Sequence, residues 1–573
     1  MRKLFSLLVL FICWSQSFAI TIAVPSDYAT IAAAITAATD GDTVLLSAGT
    51  YQENVVIDKE ITLQGVDRDT VIIQPSFVGA NTGGGSLGAG VSNVVLVQSD
   101  NVTIATLTVD GDNPLLTSGE VFGGADIDAR NGIITDHTTG LYDNLTVMGC
   151  LAKNIWLRGI YASSGGSFLF EGDEVFNVQA DLQSIGMFNF YGSGVFLNNL
   201  VYDCNDAIAS NWSSGTLYDG NEVYNSGSGI HTDNNGGVGG YADTIQNNFV
   251  HDSAVNGYGI WVFVPYFPVL VQNNIVTNVD VGMACAAHGG TGVVTPVFSG
   301  NTIDGVFRLN STGLYVTTNE FGFGSNAVDI IFYENTITRN TDGVYLEAEA
   351  GFTLSATASF NRIVDNASNA LDALDPGGTY AGSWQHNWWG CNNGPTCASV
   401  SVVVDATPWL VLDSISTDAQ LASGAITDVT AHILYDSDGA DTRSSGRVPS
   451  VPVSFLGTLG SVLPTSATLS SGSASTQFTA GFTGGFASIV SSVDSASAEI
   501  LVEVISPTAT PTATPTLTQT VTATPTASPS NTVTNTATAT PTNTAVPTPT
   551  FVPLPTATPG EASLGVEDWI LYK

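Results

Sequence analysis

A histidine and an aspartate in the middle of the chain have the types and spacing that acid–base chemistry requires. His231 and Asp233 are two residues apart in GIHTD, and alternate residues of a β-strand face the same side. An imidazole beside a carboxylate can transfer protons. Trp261 and Phe263 have the same spacing, and aromatic rings offer flat apolar faces on which sugar rings stack. We therefore take these four residues as candidates for acid–base catalysis and ligand stacking.

The two pairs belong to successive copies of one repeat. Seven segments of the type GNEVYNS or NNFVHDS follow one another, and HNWWG closes the series. Asparagine tolerates left-handed turns and can hydrogen-bond to its counterpart one repeat away, which predicts a structural ladder without a catalytic role. The ladder residues, spaced by 22 to 34 residues, are Asn199, Asn221, Asn248, Asn274, Asn301, Asn335, Asn361 and Asn387.

A second column follows the asparagines, with Gly or Ala before an aliphatic residue, as in Gly229-Ile230 and Gly259-Ile260. Each repeat thus contains short apolar strands and tight turns without helical periodicity. Such coils bury their apolar faces only by stacking at about 4.8 Å, which predicts a parallel β-solenoid. If the aliphatic residue points inward, the residues one and three later point outward. This count adds four outward candidates for substrate binding, beside Trp261 and Phe263: Asn211, Tyr315, Tyr345 and Glu347.

Two interpretations of the outward face remain open from the residues alone. In the first, His231 and Asp233 are catalytic and the other outward residues bind substrate. In the second, loops cover the aromatic side chains and the polar ones are solvated, because isolated outward apolar residues are common. His251 and Asp252 form a weaker pair, since neighbours along a strand point to opposite faces.

The region before the repeats begins with an amphipathic helix. Ser26 or Asp27 is expected to cap it, with Ile31 and Ile35 on its buried face, and the helix is expected to cover the open end of the solenoid. The stretch DYATIAAAITAATDGDTVLLSAGTYQENVVI, followed by ITLQG, resembles the opening of right-handed parallel β-helix proteins of the pectin-lyase-like superfamily. HNWWGCNNGP and ATPWL resemble the closing segment of exported bacterial members.

This resemblance covers about residues 21 to 411 and implies a fold more strongly than an activity, because relatives include lyases, hydrolases, esterases and epimerases. The motifs of polygalacturonases are not matched, and GIHTDNNG and AHGG are the stretches nearest to them. The motifs of pectate lyases and pectin esterases are not matched either. Whether the protein is an enzyme stays open; an active one would be a polysaccharide lyase or glycoside hydrolase. The resemblance implies an exported, surface-associated protein that recognises or processes polysaccharide. The alternative is a non-catalytic adhesin or structural envelope protein.

Composition divides this all-β chain into five segments. Residues 1–19 place Arg2 and Lys3 before an apolar stretch and predict a signal peptide. Residues 20–411 are the solenoid, and residues 412–505 alternate with period two, which predicts a β-sandwich that resembles the bacterial Ig-like modules of surface adhesins. Residues 506–559 are rich in Thr and Pro and uncharged, which predicts a disordered linker or stalk. Residues 560–573 form a short terminal segment.

The predicted signal peptide implies export, and an exported protein meets oxidising conditions. Cys391 and Cys397 flank a Gly-Pro turn in CNNGPTC and predict a disulfide, whereas Cys150, Cys204 and Cys285 are expected to be buried thiols. We therefore expect the protein to be secreted or on the cell surface. No zinc-site spacing and no cofactor motif is found. The aspartates of DSDGAD offer oxygens to calcium, which stays an alternative, but the stretch lacks the closing Glu of a calcium loop and favours a hairpin turn.

The charge of the chain limits its partners. It has 573 residues, of which 51 are acidic and 13 basic, with a formal net charge of −38. Such a charge repels nucleic acids and anionic lipid surfaces. After the signal peptide, no apolar run reaches the roughly 20 residues of a membrane helix. We expect a monomer whose partner is a polysaccharide or cell-surface glycan.

Overall fold

The computed structural model describes residues 19–506, except 164, 235–239, 265–266, 288–292, 320–324 and 375–376. Most of the predicted signal peptide, the Thr/Pro-rich segment and the short terminal segment lie outside the described residues. Up to residue 383, short strands stack coil upon coil into three long parallel sheets. The predicted all-β parallel solenoid is therefore confirmed.

From Thr43 to Leu374 each coil contributes one strand to each sheet in the order first, second, third, while Thr21–Val24 and Thr379–Ser383 add one strand to each end of the first sheet alone. In the described part of the chain, the first sheet consists of Thr21–Val24, Thr43–Leu46, Thr62–Gly65, Thr103–Ala105, Leu145–Met148, Ser167–Glu171, Ser193–Leu197, Leu217–Asp219, Thr244–Gln246, Leu270–Gln272, Val297–Ser299, Val328–Tyr333, Thr353–Ser359 and Thr379–Ser383. The second consists of Gly49–Gln52, Val71–Gln74, Thr108–Asp110, Leu151–Lys153, Glu174–Val178, Leu200–Cys204, Glu222–Tyr224, Phe249–His251, Ile275–Thr277, Thr302–Asp304, Thr336–Thr338 and Arg362–Val364. The third consists of Val55–Ile57, Asn93–Val97, Asn131–Thr135, Arg158–Ala162, Ile185–Phe190, Asp206–Asn211, Ser228–Asp233, Tyr258–Val264, Val281–Ala287, Thr312–Thr317, Asp342–Glu347 and Asn369–Leu374.

The repeated asparagines form a ladder at the turn between the first and second sheets. Nδ2 of Asn199 donates to Oδ1 of Asn221 over 3.0 Å, and the same bond recurs from coil to coil as far as Asn387. Each Nδ2 also donates to a backbone carbonyl, as from Asn199 to Phe170 over 3.0 Å. The residue before the ladder position is left-handed, with φ of 56° at both Asn247 and Asn273. The doubled asparagines thus combine a turn residue with a ladder residue.

The glycines of the second column lie where neighbouring coils approach most closely. A Cβ on Gly229 would lie 2.3 Å from the carbonyl oxygen of Gly259, and one on Gly259 would lie 2.3 Å from that of Gly282. Such a distance is far below van der Waals contact, so glycine is required. The next residue, Ile230 or Ile260, is fully buried in the solenoid core.

The predicted N-terminal helix spans Ile31–Ala37, and Ile31, Ala34 and Ile35 are buried. Its cap is neither of the predicted residues but Thr30, whose Oγ1 accepts from the N–H of Ala33. Asp27 is unavailable because its carboxylate accepts from the N–H of Ala23, and the chain at Ser26 and Asp27 still forms a turn.

Side chains from the first coils bind both ends of this helix. The carboxylate of Glu53 accepts from the N–H groups of Ile31 and Ala32. Nζ of Lys59 donates to the carbonyls of Ile35, Thr36 and Ala38 at the other end. The exposed backbone groups at the helix ends are thereby satisfied, with charges that match the helix dipole.

The residues from 410 to 505 form two further sheets around their own core. A sheet of four antiparallel strands consists of Leu410–Ser416, Ile426–Asp436, Ser473–Ala480 and Gly460–Leu463. A mixed sheet consists of Gln420–Ala422, Ala496–Ile505, Gly485–Val493, Val451–Gly457 and Ser466–Leu469. We call this region the C-terminal unit. Its first strand begins at Leu410, so the boundary predicted after residue 411 falls inside a strand.

The C-terminal unit packs against the last coils. Trp388, Val364 and Phe360 of the solenoid share a buried cluster with residues of the unit. The carboxylate of Asp494 accepts from Nε1 of Trp388 over 2.7 Å and forms an ion pair with Arg362. The two regions are therefore joined by both apolar and charged contacts.

Three smaller elements complete the described chain. A two-stranded hairpin pairs Val121–Phe122 with Ala125–Asp126. A 3-10 helix, Gly394–Cys397, follows the last coil, and Cys391 and Cys397 form a disulfide beside it. Cys150, Cys204 and Cys285 are buried free thiols, and burial raises the pKa of each.

Candidate functional site

The predicted site residues lie in two columns on the outer face of the third sheet. The strand register aligns Ala209, His231, Trp261, Ala284, Tyr315, Tyr345 and Asp372 in one column. A parallel column contains Asn211 beside Asp233, and Thr317 beside Glu347. Trp261, Phe263 and Tyr315 belong to a small apolar cluster outside the solenoid core, so these side chains do point outward.

His231 and Trp261, which the sequence predicted to face a ligand, are each only 1% exposed. Trp261 is stacked between two rings of its own strand, Tyr258 at 4.3 Å and Phe263 at 4.9 Å. Rings of its own strand therefore pack on both sides of Trp261, whereas the second interpretation expected loops to cover the aromatic side chains. Asp233 is 7% exposed, so this carboxylate is also buried and not solvated.

The environment of His231 is unsuited to proton exchange with a substrate. Nε2 lies 3.2 Å from Oδ1 of Asn211, another predicted binding residue, which is 7% exposed. Burial lowers the pKa of His231 from 6.5 to about 3, so its imidazole is neutral at ordinary pH. We therefore do not assign His231 and Asp233 a catalytic role.

Tyr315, Tyr345 and Glu347 are brought together farther along the same face. The two tyrosine rings are 5.7 Å apart, and the hydroxyl of Tyr315 donates to Oε2 of Glu347. Oγ1 of Thr317 donates to the same oxygen over 3.2 Å. Burial is the main reason why the pKa of Tyr315 is raised, and the hydrogen bond to Glu347 raises it further. Tyr315 lies three coils from His231 and Tyr345 four coils, or roughly 14 and 19 Å at the usual strand spacing.

A concave site lies upstream on the same face and was missed by the sequence analysis. It is a cleft of about 190 Å³. Tyr161 and Phe188 lie in it, with rings 4.7 Å apart, and the guanidinium of Arg158 is 4.9 Å from the Phe188 ring. The cleft is lined by Gly84, Gly85, Ser86, His137, Leu157, Arg158, Tyr161, Gln183, Phe188 and Phe190.

A buried arginine organises the loop on one side of this cleft. Arg130 is 4% exposed, and its guanidinium donates to the carbonyls of Ala80, Gly84 and Gly85 at 3.1, 2.6 and 3.2 Å. Burial lowers the pKa of Arg130, but a guanidinium remains charged at any physiological pH. The loop is therefore attached through three charge-assisted bonds.

A histidine lies at the ends of the strands that line the cleft. His137 follows strand Asn131–Thr135, and its Nδ1 is 2.6 Å from Oγ of Ser163 in the next coil. Its ring is half-buried and lies 6.4 Å from the Tyr161 ring. Burial lowers the pKa of His137, and the nearby Asp136 opposes this shift.

Two exposed aromatic residues adjoin the cleft. Tyr191 and Trp212 directly follow adjacent strands of the third sheet, are each 37% exposed, and stack at 5.3 Å with 20° between their planes. Tyr191 also contacts Phe190 of the cleft at 5.4 Å. Both residues are left-handed, with φ of 65° and 59°, which is rare for large side chains and is often found at functional sites.

The sequence contains a signal that points to the cleft. Gly132-Ile133, Gly159-Ile160 and Gly186-Met187 extend the glycine column upstream, and the residue after each pair is Ile134, Tyr161 or Phe188. The register aligns these three with one another and with Ala209. Continuing the column upstream would therefore have included the cleft.

The second sheet carries a separate aromatic ladder. Phe176, Tyr202, Tyr224 and His251 stack on successive coils at 4.9, 4.7 and 5.2 Å. Contrary to the expectation of opposite faces, Nδ1 of His251 is 2.8 Å from Oδ2 of Asp252. The reason is that Asp252 has already left the strand, with φ of 50°. Because the rings cover each other's faces, this ladder offers little surface for stacking on a ligand.

The described residues contain no cluster suited to a metal ion and no helix suited to a membrane. Within them, no group of three His, Cys, Asp or Glu side chains has an arrangement that would hold a metal ion. In the DSDGAD stretch, the Asp436 carboxylate accepts from the N–H groups of Asp438 and Ala440, and Asp441 pairs with Arg443. None of the helices in the described range is long and apolar enough to cross a membrane.

Comparisons with known proteins bear on the fold. The family model described as a right handed beta helix region matches residues 131–303. No curated protein matches the sequence. The chain is similar to the catalytic unit of a GH87 α-1,3-glucanase from Streptomyces thermodiastaticus strain HF3-3, with 13% identity over 61% of this chain and 63% of that chain and a TM-score of 0.42. The chain thus spans less than two thirds of that glucanase unit.

Two further solved structures give similar values. For a polygalacturonase from Erwinia carotovora ssp. carotovora, the identity is 12% over 64% of this chain and 94% of that chain, with a TM-score of 0.39. For DFA-IIIase from Arthrobacter chlorophenolicus A6, the identity is 13% over 68% and 99%, with a TM-score of 0.37. Together with the family match, the three stacked parallel sheets identify the solenoid as a right-handed parallel β-helix.

Proposed function

We propose that the protein binds a polysaccharide on the outer face of its third sheet, in the cleft and across the exposed Tyr191–Trp212 pair. The observation that carries this proposal is the pair itself, two stacked exposed rings on left-handed backbone beside a cleft. Sugars present apolar C–H faces, which aromatic rings bind, and hydroxyl groups, which polar side chains bind. Both kinds of surface are adjacent here.

The dimensions of the cleft indicate how such a chain would lie. Its volume of about 190 Å³ is below the roughly 300 to 1,000 Å³ of sites for drug-sized ligands. It therefore has room for a short part of a glycan, and the rest of the chain would pass over Tyr191 and Trp212. Arg158 and Gln183 would supply polar contacts inside the cleft.

The proposed location is outside the cell. The sequence begins with a predicted signal peptide, and the Cys391–Cys397 disulfide is typical of oxidising compartments. We also propose that helix Ile31–Ala37 covers the N-terminal end of the solenoid and that the C-terminal unit is an Ig-like module. Such a chain would present its glycan-binding face from the bacterial surface or after secretion.

A non-catalytic adhesin is the second candidate. One observation favours it: His231 and Asp233, the acid–base pair predicted from the sequence, are buried. In this alternative the cleft and the ring pair bind a glycan and release it unchanged. Incubation of the full chain with each glycan that it binds, followed by chromatography of the products, distinguishes the two.

The proposal is tested by glycan-array binding of the full chain and its variants. Trp212→Ala and Tyr191→Ala are expected to weaken binding severalfold, because a stacked ring contributes about 0.5 to 1.5 kcal/mol beyond its buried area. Phe249→Ala is the matched control, since Phe249 is also 37% exposed but lies on the second sheet. Equal binding by folded Trp212→Ala, Tyr191→Ala and Phe249→Ala variants would exclude this face.

A further inference from the structure

The cleft contains a histidine whose hydrogen-bonding state is controlled by a neighbouring coil. His137 lines the cleft, and Nδ1 is engaged by Oγ of Ser163 over 2.6 Å. Among the described residues, none forms a hydrogen bond with Nε2. Nε2 is therefore the ring nitrogen that remains for a molecule in the cleft.

Ser163 allows either nitrogen of His137 to carry the proton. Its Oγ is also 3.3 Å from the carbonyl oxygen of Thr135. When the hydroxyl donates to Thr135, Oγ accepts from Nδ1–H and Nε2 is a hydrogen-bond acceptor. When the hydroxyl donates to Nδ1, Nε2–H is a donor. The serine itself is held in place, because its N–H donates to Oγ1 of Thr135 over 2.7 Å.

From this geometry we infer that His137 is a specificity-determining residue of the cleft, which recognises one sugar hydroxyl through Nε2, and that Ser163 is its positioning residue. The inference rests on the proposed function. A hydroxyl is both donor and acceptor, so it matches either state of the pair. A ligand atom that can only accept would bind one state alone, and an apolar group would leave Nε2 without a partner, which is unfavourable.

The surrounding charges determine how binding depends on pH. Burial lowers the pKa of His137 and the Asp136 carboxylate opposes this shift. The Arg158 guanidinium also lines the cleft, and Tyr161 is uncharged because burial raises its pKa to about 12. A bound glycan removes further water from the ring and therefore favours its neutral form. Affinity should accordingly fall as pH decreases through the pKa of His137, which burial places below the ordinary 6.5.

Two amide substitutions separate the roles of the two ring nitrogens. In His137→Gln the amide reaches about as far as Nε2, whereas in His137→Asn it reaches only about as far as Nδ1. If Nε2 binds the glycan, Gln should retain most of the affinity, and Asn should lose roughly tenfold, as should His137→Phe. If His137 only holds Ser163, Asn should bind like the wild type and Gln should not.

The experiment is calorimetric titration of the full chain with soluble cello-, xylo-, manno- and galacturono-tetraose at pH 5 and 7.5. Ser163→Ala should weaken binding severalfold and shift the pH dependence to lower pH, since the protonated ring loses an acceptor for Nδ1–H. His251→Gln, on the second sheet, is the control and should change nothing. The inference fails if all His137 variants bind like the wild type while Trp212→Ala does not. If the wild-type chain binds none of the four probes and no array glycan, the proposed function fails and the inference fails with it.

Discussion

Oδ1 of Asn199 accepts a hydrogen bond from the backbone N–H of Asp173 over 3.0 Å. Oδ1 of Asp173 in turn accepts from the backbone N–H of Cys150 over 2.7 Å. Asp173 therefore occupies the ladder position of its coil, with a carboxyl group where the following coils have a carboxamide. Its Oδ2 is buried and has no hydrogen-bond partner in the described part of the chain, whereas Nδ2 of Asn199 donates to two oxygens.

Asp173→Asn is expected to stabilise the protein at neutral pH. Burial raises the pKa of Asp173 well above 3.8, so the folded state binds this proton more tightly than the unfolded state. The stabilising contribution of the protonated Asp173 carboxyl group is complete below about pH 3.8. It is lost as pH rises towards the pKa of Asp173 in the folded state. The asparagine should add about 1 to 3 kcal/mol to the free energy of unfolding at pH 7.

Urea unfolding at pH 4 and pH 7 measures this effect. The gain over the wild type should be larger at pH 7. Asp69→Asn is the control, because the Asp69 side chain is 74% exposed, and its stability should follow the wild type at both pH values. A less stable Asp173→Asn variant at pH 7 would show that the carboxylate is favourable where it lies.

Trp261→Ala is expected to destabilise the fold and not to act on glycan binding directly. The side chain is 1% exposed and stacked between Tyr258 and Phe263. Removing a buried aromatic side chain of this size costs about 3 to 5 kcal/mol. Chemical denaturation should show this loss, while Trp212→Ala, at 37% exposure, should lose much less. Unchanged stability of Trp261→Ala would mean that the ring is not packed as described.

Arg130→Lys is expected to loosen the wall of the cleft. One ammonium group cannot reproduce the three bonds to Ala80, Gly84 and Gly85, because it lacks the planar fork of a guanidinium. Amide exchange in peptides covering 79–91 should become faster, and glycan affinity should fall about tenfold, equivalent to 1.4 kcal/mol. Arg443→Lys is the matched surface control, with a side chain that is 53% exposed. Unaltered exchange in the loop would contradict the role given to Arg130.

The contact between the solenoid and the C-terminal unit is expected to stabilise both. Asp494→Ala leaves the Arg362 guanidinium, whose side chain is 14% exposed, and Nε1 of Trp388 without their acceptor. The free energy of unfolding should fall by about 2 to 4 kcal/mol. Asp441→Ala breaks a surface ion pair with Arg443 and should change stability little. Thermal unfolding of the two variants makes the comparison, and equal midpoints would argue against the contact.

The same contact bears on truncation of the chain. A fragment of residues 20–411 exposes Trp388, Val364 and Phe360 and cuts strand Leu410–Ser416. We therefore expect it to be less stable than a fragment of residues 20–505, although both contain the whole solenoid. Gel filtration and thermal melting of the two fragments test this. An equally stable and monomeric shorter fragment would show that the solenoid needs no cover at this end.

The repeat predicts the fold because its asparagines and glycines meet requirements of the backbone within a coil or between neighbouring coils. Asn248 and Gly259 are required by a turn and by a close backbone approach, and both requirements can be recognised from spacing alone. The burial of Trp261 depends on the neighbouring rings of Tyr258 and Phe263, and a count of inward and outward positions does not measure how side chains cover one another. Pattern analysis therefore predicts direction but not exposure.

The cleft was missed for a different reason. Its coils have Cys150 and Asp173 at the ladder position, so the asparagine series appeared to begin only at Asn199. The side-chain bond of the ladder is replaced there, but the backbone geometry is kept. A search based on the glycine column would have reached Tyr161, because the close backbone approach at Gly159 does not depend on the ladder residue.

The close approach at Gly229 and Gly259 also affects how such a molecule can evolve. Duplicating a whole coil in the gene would insert a glycine at the required place together with its asparagine, so the new coil would fit between its neighbours. Each duplication would lengthen the outer face by one step of about 4.8 Å. The length of the solenoid can therefore change during evolution while the existing coils keep their sequences. Ligand recognition is altered separately, in the loops beside the third sheet.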